Sequence, residues 1–240
     1  HLVLDSREEV DLAAAAVRGL REAGTYGPEE TGAVMVRLTT GVHAGGHEYI
    51  ATAHEDQKFG LSVTTGAARE AIDAIIAAPE LSLHGLHSHI GSQIMDLAGF
   101  REAARVVLTL RHEVARDTGI LAEEVDLGGG YGIAYTVADP VPPSPAQVAR
   151  VLADTVRSLC TELGDSVPHV SVEPGRSVVG PSTLTLYAVT GLKRVELGEG
   201  ASRLYVSVDG GMSDNIRPAL YDAAYTALVA NRLPDPAAGL

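Results

Sequence analysis

The sequence predicts an α/β fold: a parallel sheet with helices packed outside it, best matched by a (β/α)8 barrel of which only part is present. Three observations predict it. Short apolar runs alternate with longer amphipathic runs along the chain, the order that builds βαβ units. Only about six such units are visible, fewer than a closed barrel needs, so the first units are expected to be missing. Finally, the residues able to do chemistry cluster where apolar runs end, as they do at the carboxyl ends of parallel strands.

The elements follow in order. Leu2 to Leu4 is a strand, and Ser6-Arg7-Glu8-Glu9 is a capping box that opens a helix through Val10, Val17 and Leu20, with Gly24 as its stop. Val34 to Leu38 and Lys58 to Val63 are strands, and Thr65 to Ala78 is helical up to Pro79. Leu81 to His89 is a strand, Phe100 to Asp117 a helix ending at Gly119, and Val125 to Leu127 a strand. After the proline-rich loop Pro140 to Pro145, Ser144-Pro145 with Gln147 opens a helix that ends near Gly164. His169 to Val172, Thr183 to Val189 and Tyr205 to Val208 are further strands, expected in the same parallel order.

Composition sets the bounds. A chain of 240 residues with 45% hydrophobic content supports one large core, and residues 1–240 are taken as one domain. Tryptophan is absent and aromatics are 4%, so the core must be aliphatic. A net charge of -13 excludes an electrostatic footprint for nucleic acid or a polybasic membrane patch. One cysteine, Cys160, excludes an internal disulfide framework and falls in an apolar helical pattern. With no apolar run of membrane length and no signal peptide visible, a cytoplasmic location is expected. The chain opens at His1 directly into a strand and ends in a Pro- and Ala-rich stretch, and so reads as a piece of a longer protein.

Three segments carry the chemistry: His87-Ser88-His89-Ile90-Gly91-Ser92-Gln93, Asp126-Leu127-Gly128-Gly129-Gly130, and Glu173-Pro174-Gly175-Arg176. On a strand His87 and His89 face one side. A zinc pair is one reading, but the later strand ends offer glycines and single acids where further ligands are needed, so no metal is assigned. A flat imidazole stacked on an aromatic ring is the other reading for His89, and Ser92 then stands ready to donate to a phosphate. A triple glycine admits close backbone approach to an anion, or simply a tight turn. Glu173 could act on a proton or pair with a ring N–H. Pro174 stiffens its loop, Gly175 frees an amide, and Arg176 suits a phosphate or carboxylate. Arg217 and Tyr221, four apart, share a face if helical and could grip a carboxylate. Together these features point to a phosphorylated aromatic cofactor held across several strand ends.

The same words resemble those of the diaminopimelate decarboxylases, of the alanine-racemase-like fold type of pyridoxal-phosphate enzymes. Asp56-Gln57-Lys58-Phe59-Gly60 and Asp209-Gly210-Gly211-Met212 running to Tyr221 also match. The resemblance implies pyridoxal 5'-phosphate as cofactor. It implies that His89 stacks on the pyridine, that Glu173 pairs with its nitrogen, and that Ser92, Gly129, Gly130, Pro174, Gly175 and Arg176 hold it. It also places Arg176, Arg217 and Tyr221 against an amino-acid substrate, and implies conversion of meso-diaminopimelate to L-lysine and CO2 by a homodimer. The family's Schiff-base lysine and its proton-donating cysteine find no counterpart here. Lys58 and Lys193 are the only lysines, and neither stands in the family's lysine position. No catalytic residue is therefore assigned in residues 1–240, and the chain alone is expected to be inactive.

Overall fold

Parallel strand pairing organises the amino-terminal part of the chain. The computed structural model describes residues 1–42, 58–136 and 138–231. Asp56 and Gln57 of the Asp-Gln-Lys-Phe-Gly word therefore lie outside the described residues. Two compact units are present: His1–Ile133 with Val141–Val178, and Ala134–Pro140 with Val179–Leu240.

In the first unit the strands are β1 (Leu2–Leu4), β2 (Gly32–Thr39), β3 (Leu61–Ser62), β4 (Leu81–Ser88), β5 (Glu124–Asp126) and β6 (His169–Ser171). The helices are α1 (Arg7–Glu22), α2 (Ala67–Ala77), α3 (Ala98–Thr118), α4 (Pro145–Leu163) and α5 (Gly175–Val179). The sheet runs β1-β2-β4-β5-β6, with β3 also on β2, and every pairing is parallel. This is the predicted βαβ order.

Register divides the sheet into two faces. Val36 pairs with Leu86, Leu86 with Val125, and Val125 with Val170. Adjacent residues on a strand point to opposite faces. The Val36 row packs under the helices, and the rows on either side of it face away. One of those rows is Arg37, His87, Asp126 and Ser171; the other is Met35, Gly85, Glu124 and His169. The helices complete the core with matching stripes, Val10, Ala13, Ala14 and Val17 on α1 and Ala68, Ala71, Ile72 and Ile75 on α2. Cys160 on α4 is buried in the same core.

The predicted capping box at Ser144 forms, and the one at Ser6 forms only in part. Ser144 and Gln147 exchange bonds as expected, Gln147 N–H to Ser144 Oγ at 3.3 Å and Ser144 N–H to Gln147 Oε1 at 2.8 Å. Ser6 Oγ accepts from Glu9 N–H, but the Glu9 carboxylate accepts from Asp5 N–H at 2.6 Å. That box closes one residue early, onto the residue leaving β1. Strand β3 is shorter than the sequence predicts because Gly60 has φ +86, a left-handed conformation incompatible with a strand.

The second unit departs from the predicted parallel order. β7 (Val189–Gly198) and β8 (Ala201–Val208) form an antiparallel hairpin, so Tyr205 to Val208 does not continue a βαβ series. The cause is local. Glu199 and Gly200 both have positive φ and link the paired Gly198 and Ala201, a two-residue hairpin turn with no length for a crossover helix. Thr183 to Ala188, expected as strand, has no regular structure, and the strand begins at Val189. A short helix α6 (Arg217–Tyr221) follows. No helix among the described residues is long and apolar enough to cross a membrane.

Among the described residues, Arg111 is the one Lys, Arg, Asp or Glu side chain fully inside the first unit. Its Nε donates to Ala122 O at 2.7 Å and its Nη1 to Ser166 O at 3.1 Å. These carbonyls lie in the loops that lead into β5 and β6, so a side chain of α3 sets where both strands begin. Arg111→Met leaves the buried Ala122 carbonyl without its partner and frees that of Ser166. It is expected to cost about 1–3 kcal/mol, read as a lower urea midpoint at unchanged slope.

Candidate functional site

The carboxyl ends of β4, β5 and β6 bring the three sequence segments together. His87 is near the end of β4, Asp126 at the end of β5, and Glu173 two residues beyond β6. His87 Nε2 lies 3.4 Å from Glu173 Oε2, and one ligand-type atom from each of His87, Asp126 and Glu173 falls within 4.8 Å of the other two. His87 is buried, while the Glu173 side chain is 51% exposed and faces the opening.

The triple glycine sits between these groups for a reason of packing. A Cβ on Gly128 would stand 2.3 Å from Ser88 O, one on Gly129 would stand 2.1 Å from Glu173 O, and one on Gly130 would stand 2.1 Å from Gly91 O. Each glycine thus lets the β5 loop touch a different neighbouring backbone, and Gly128 and Gly130 also have positive φ. Hydrogen bonds fix the contact: Glu173 N–H donates to Gly128 O at 2.8 Å, and Ile94 N–H to Gly130 O at 2.8 Å. Two of the glycine amides are engaged within the protein. Gly128 N–H donates to Asp126 Oδ1 at 2.8 Å and Gly129 N–H to His89 Nδ1 at 3.3 Å. The amide of Gly175, which the sequence reading leaves open, closes a turn onto Glu173 O at 2.8 Å.

Electrostatics follow from this packing. Burial raises the Asp126 pKa, against the opposing effect of the Gly128 N–H; the Glu173 charge raises it further, and His87 opposes. Desolvation lowers the pKa of His89, helped by Arg37, and the bond from Gly129 N–H marks Nδ1 as an unprotonated acceptor. The His89 ring is therefore neutral with its proton on Nε2. Tyr131, stacked on Phe100 at 4.8 Å between centroids, has its phenol pushed up to about 12 by burial. His87 Nδ1, Ser88 Oγ and Tyr131 OH are buried with no partner among the described residues.

The surroundings add residues that sequence reasoning passed over. Gln93, at φ +59, accepts from Ile133 N–H and donates to Ile133 O, and its Oε1 also lies 3.5 Å from Arg176 Nη1. Arg37 places its guanidinium 4.9 Å from the Phe59 ring centroid. A cleft of about 260 Å³ opens beside His89, with Arg37, Thr39, Phe59 and Gly91 in its wall. Asp126 and Gln93 stand in the quoted segments without an assigned role and Arg37 lies outside them, because strand register and a left-handed backbone turn decide where they point. Ser92 is exposed on the loop after β4. Arg217 and Tyr221 belong to the second unit, where the Arg217 guanidinium lies 5.3 Å from the Tyr221 ring centroid on α6.

A parallel sheet with helices outside it, whose strand ends bring together acids, a neutral imidazole and a guanidinium, places the chain among the α/β barrel-type folds. The chain belongs to the pyridoxal-dependent decarboxylase family: residues 1–180 match its pyridoxal binding domain. Pyridoxal phosphate is the cofactor of that family. The chain is 47% identical over 235 residues to the diaminopimelate decarboxylase of Corynebacterium efficiens, covering 98% of this chain and 49% of that protein. It is 48% identical over 244 residues to the diaminopimelate decarboxylase of Mycobacterium leprae, covering 99% of this chain and 50% of that one. The crystal structure of M. jannaschii diaminopimelate decarboxylase in complex with L-lysine superposes with a TM-score of 0.76 at 31% identity, over 93% of this chain and 48% of that one. The chain thus spans about half the length of the relatives it matches, and its parallel sheet with outer helices corresponds to part of their barrel domain.

Two outcomes test this geometry. Gly129→Ala forces the β5 loop off Glu173 and is expected to cost about 1–3 kcal/mol, read by urea unfolding. The lowered His89 pKa means the folded state holds fewer protons than the unfolded chain just below the ordinary imidazole value of about 6.5. Stability is therefore expected to fall as pH drops from there toward the folded-state pKa, and His89→Gln should flatten that slope.

Proposed function

We propose that residues 1–240 are a partial pyridoxal-phosphate-binding (β/α) barrel domain of a diaminopimelate decarboxylase. The parent enzyme converts meso-2,6-diaminopimelate to L-lysine and CO2, the last step of lysine biosynthesis. The observation that carries this reading is the convergence of His87, Asp126 and Glu173 within 4.8 Å beside the triple-glycine turn. Similarity to the diaminopimelate decarboxylases supports this substrate over ornithine, arginine or carboxynorspermidine.

The donor set fits a phosphorylated pyridine. Glu173 offers a half-exposed carboxylate for a protonated ring nitrogen, and the buried His87 beside it supports the charge. The neutral ring of His89, pinned by Gly129, presents a flat face for stacking. Gly130 N–H, which donates to no protein acceptor among the described residues, joins Ser92 and Arg176 as partners for the phosphate. Gly129, Pro174 and Gly175 shape the backbone that carries these groups. When bound, the cofactor supplies an electron sink for the pair released as CO2 leaves. Glu173 serves that chemistry by holding the ring proton in place. Arg176, Arg217 and Tyr221 are assigned to the carboxylates of the amino-acid substrate.

On this reading the lysine that holds the cofactor covalently comes from outside residues 1–240, and the 240-residue chain alone releases no CO2. The parent works as a cytoplasmic homodimer. The test is CO2 and L-lysine release from meso-diaminopimelate by the full-length protein loaded with pyridoxal phosphate. Glu173→Gln is expected to lower kcat by about 10²-fold or more, with the cofactor absorbance band retained. Release of CO2 from ornithine or arginine but not from meso-diaminopimelate refutes the substrate. Failure to take up cofactor refutes the site.

A further inference from the structure

At the other end of the same strands lies a second polar cluster that the decarboxylase reading does not use. Its centre is Glu124, whose side chain is 13% exposed at the start of β5. His84 Nε2 lies 3.2 Å from Glu124 Oε2, and His1 Nε2 lies 3.6 Å from the same oxygen. His169 Nδ1 lies 3.8 Å from Glu124 Oε1, which also accepts from Ser171 Oγ. The His1 and His84 rings stack with centroids 3.8 Å apart.

The backbone is shaped to bring His84 there. Val34 on β2 pairs with Leu83, and the next residue, Met35, pairs with Gly85, so His84 is one extra residue on β4. A bulge of this kind re-aims a side chain. Leu83 packs with the helix-side core, whereas His84 reaches the face that carries Glu124. Gly85 makes the close approach possible: a Cβ there would stand 2.7 Å from both Glu124 O and Met35 Cε. Strand pairing puts Gly85, Glu124 and His169 in one row, a level below the row of His87, Asp126 and Ser171. The cluster is thus separate from the mouth around Glu173.

We propose that His1, His84 and Glu124 form a second site that binds a zinc-class dication at the amino-terminal edge of the sheet. Tetrahedral zinc with bonds of about 2.0–2.1 Å sets neighbouring ligand atoms roughly 3.3 Å apart, and the two closest pairs here are 3.2 and 3.6 Å. One ligand atom from each of His1, His84 and Glu124 lies within 4.8 Å of the others. Imidazole nitrogens with one carboxylate favour zinc, cobalt or nickel over magnesium or calcium. The ion is structural: it ties β4 and β5 to the residue ahead of β1, at the barrel end where side chains serve stability. A similar set at His87, Asp126 and Glu173 belongs to the cofactor site and carries no part of this proposal.

The test uses the full-length protein, stripped with chelator and titrated with Zn2+ and, separately, Co2+. One equivalent is expected to bind, with tetrahedral Co2+ absorption and a thermal midpoint that rises with free Zn2+. Binding should weaken as pH falls through the imidazole range, since protons compete for the ligands. His84→Ala and Glu124→Gln should each reduce affinity at least tenfold. His1→Ala alters a side chain that is 41% exposed and should reduce affinity in a protein that folds as the parent does. His87→Ala and Glu173→Gln should leave the stoichiometry unchanged. No uptake above the imidazole range overturns the site. So does binding that survives His84→Ala and Glu124→Gln, or that is lost with His87→Ala; each assigns the ion elsewhere.

Discussion

Lateral register of the parallel strands is the constraint on which everything else rests. Because β2, β4, β5 and β6 pair with one another in step, Arg37, His87, Asp126 and Ser171 form one row on the face opposite the helix-packed core. A slip of one residue at any pairing would turn that strand's polar side chains into the core and its apolar ones out. The buried row of Val36, Leu86 and Val125 resists the slip, since each residue is fully enclosed by helix side chains. Apolar packing on one face thus positions the chemistry on the other.

The triple glycine turns this alignment into a site. Three backbone contacts, to Ser88, Glu173 and Gly91, pull the loops after β4 and β6 against the loop after β5. The cost is that most of the glycine amides bond within the protein and not outward. The benefit is placement. Glu173 is brought to His87 and His89 by main-chain bonds, with no long flexible side chain to position it. Burial then separates the titrating groups. It raises Asp126 and lowers His89, leaving a neutral imidazole beside the carboxylates at the opening.

The two ends of the strands divide the polar groups between them. The carboxyl ends carry the residues assigned to the cofactor, as parallel sheets commonly arrange. The amino ends carry Glu124 with its imidazoles, and Arg111, which binds the loops ahead of β5 and β6. Asp126 and Glu124 share β5, a strand of three residues, so the loops and α3 contribute as much to their position as the ladder does.

Much of this was legible in the sequence, and the limits are physical. Alternating apolar and amphipathic runs determined the βαβ order, and the caps Ser6 and Ser144 marked where α1 and α4 begin, because both signals are local. The words around His89, Gly128 to Gly130 and Glu173 located the strand ends for the same reason. Other features needed the tertiary structure. The glycines answer to backbone atoms more than thirty residues away, the bulge at His84 exists only against β2, and Asp126 meets His87 only through register. The hairpin of β7 and β8 was the exception within reach: its Glu199-Gly200 turn is local, yet a βαβ expectation overrode it. Side-chain chemistry and short-range geometry can be read along the chain, whereas which distant groups share a face is settled only when the strands pair.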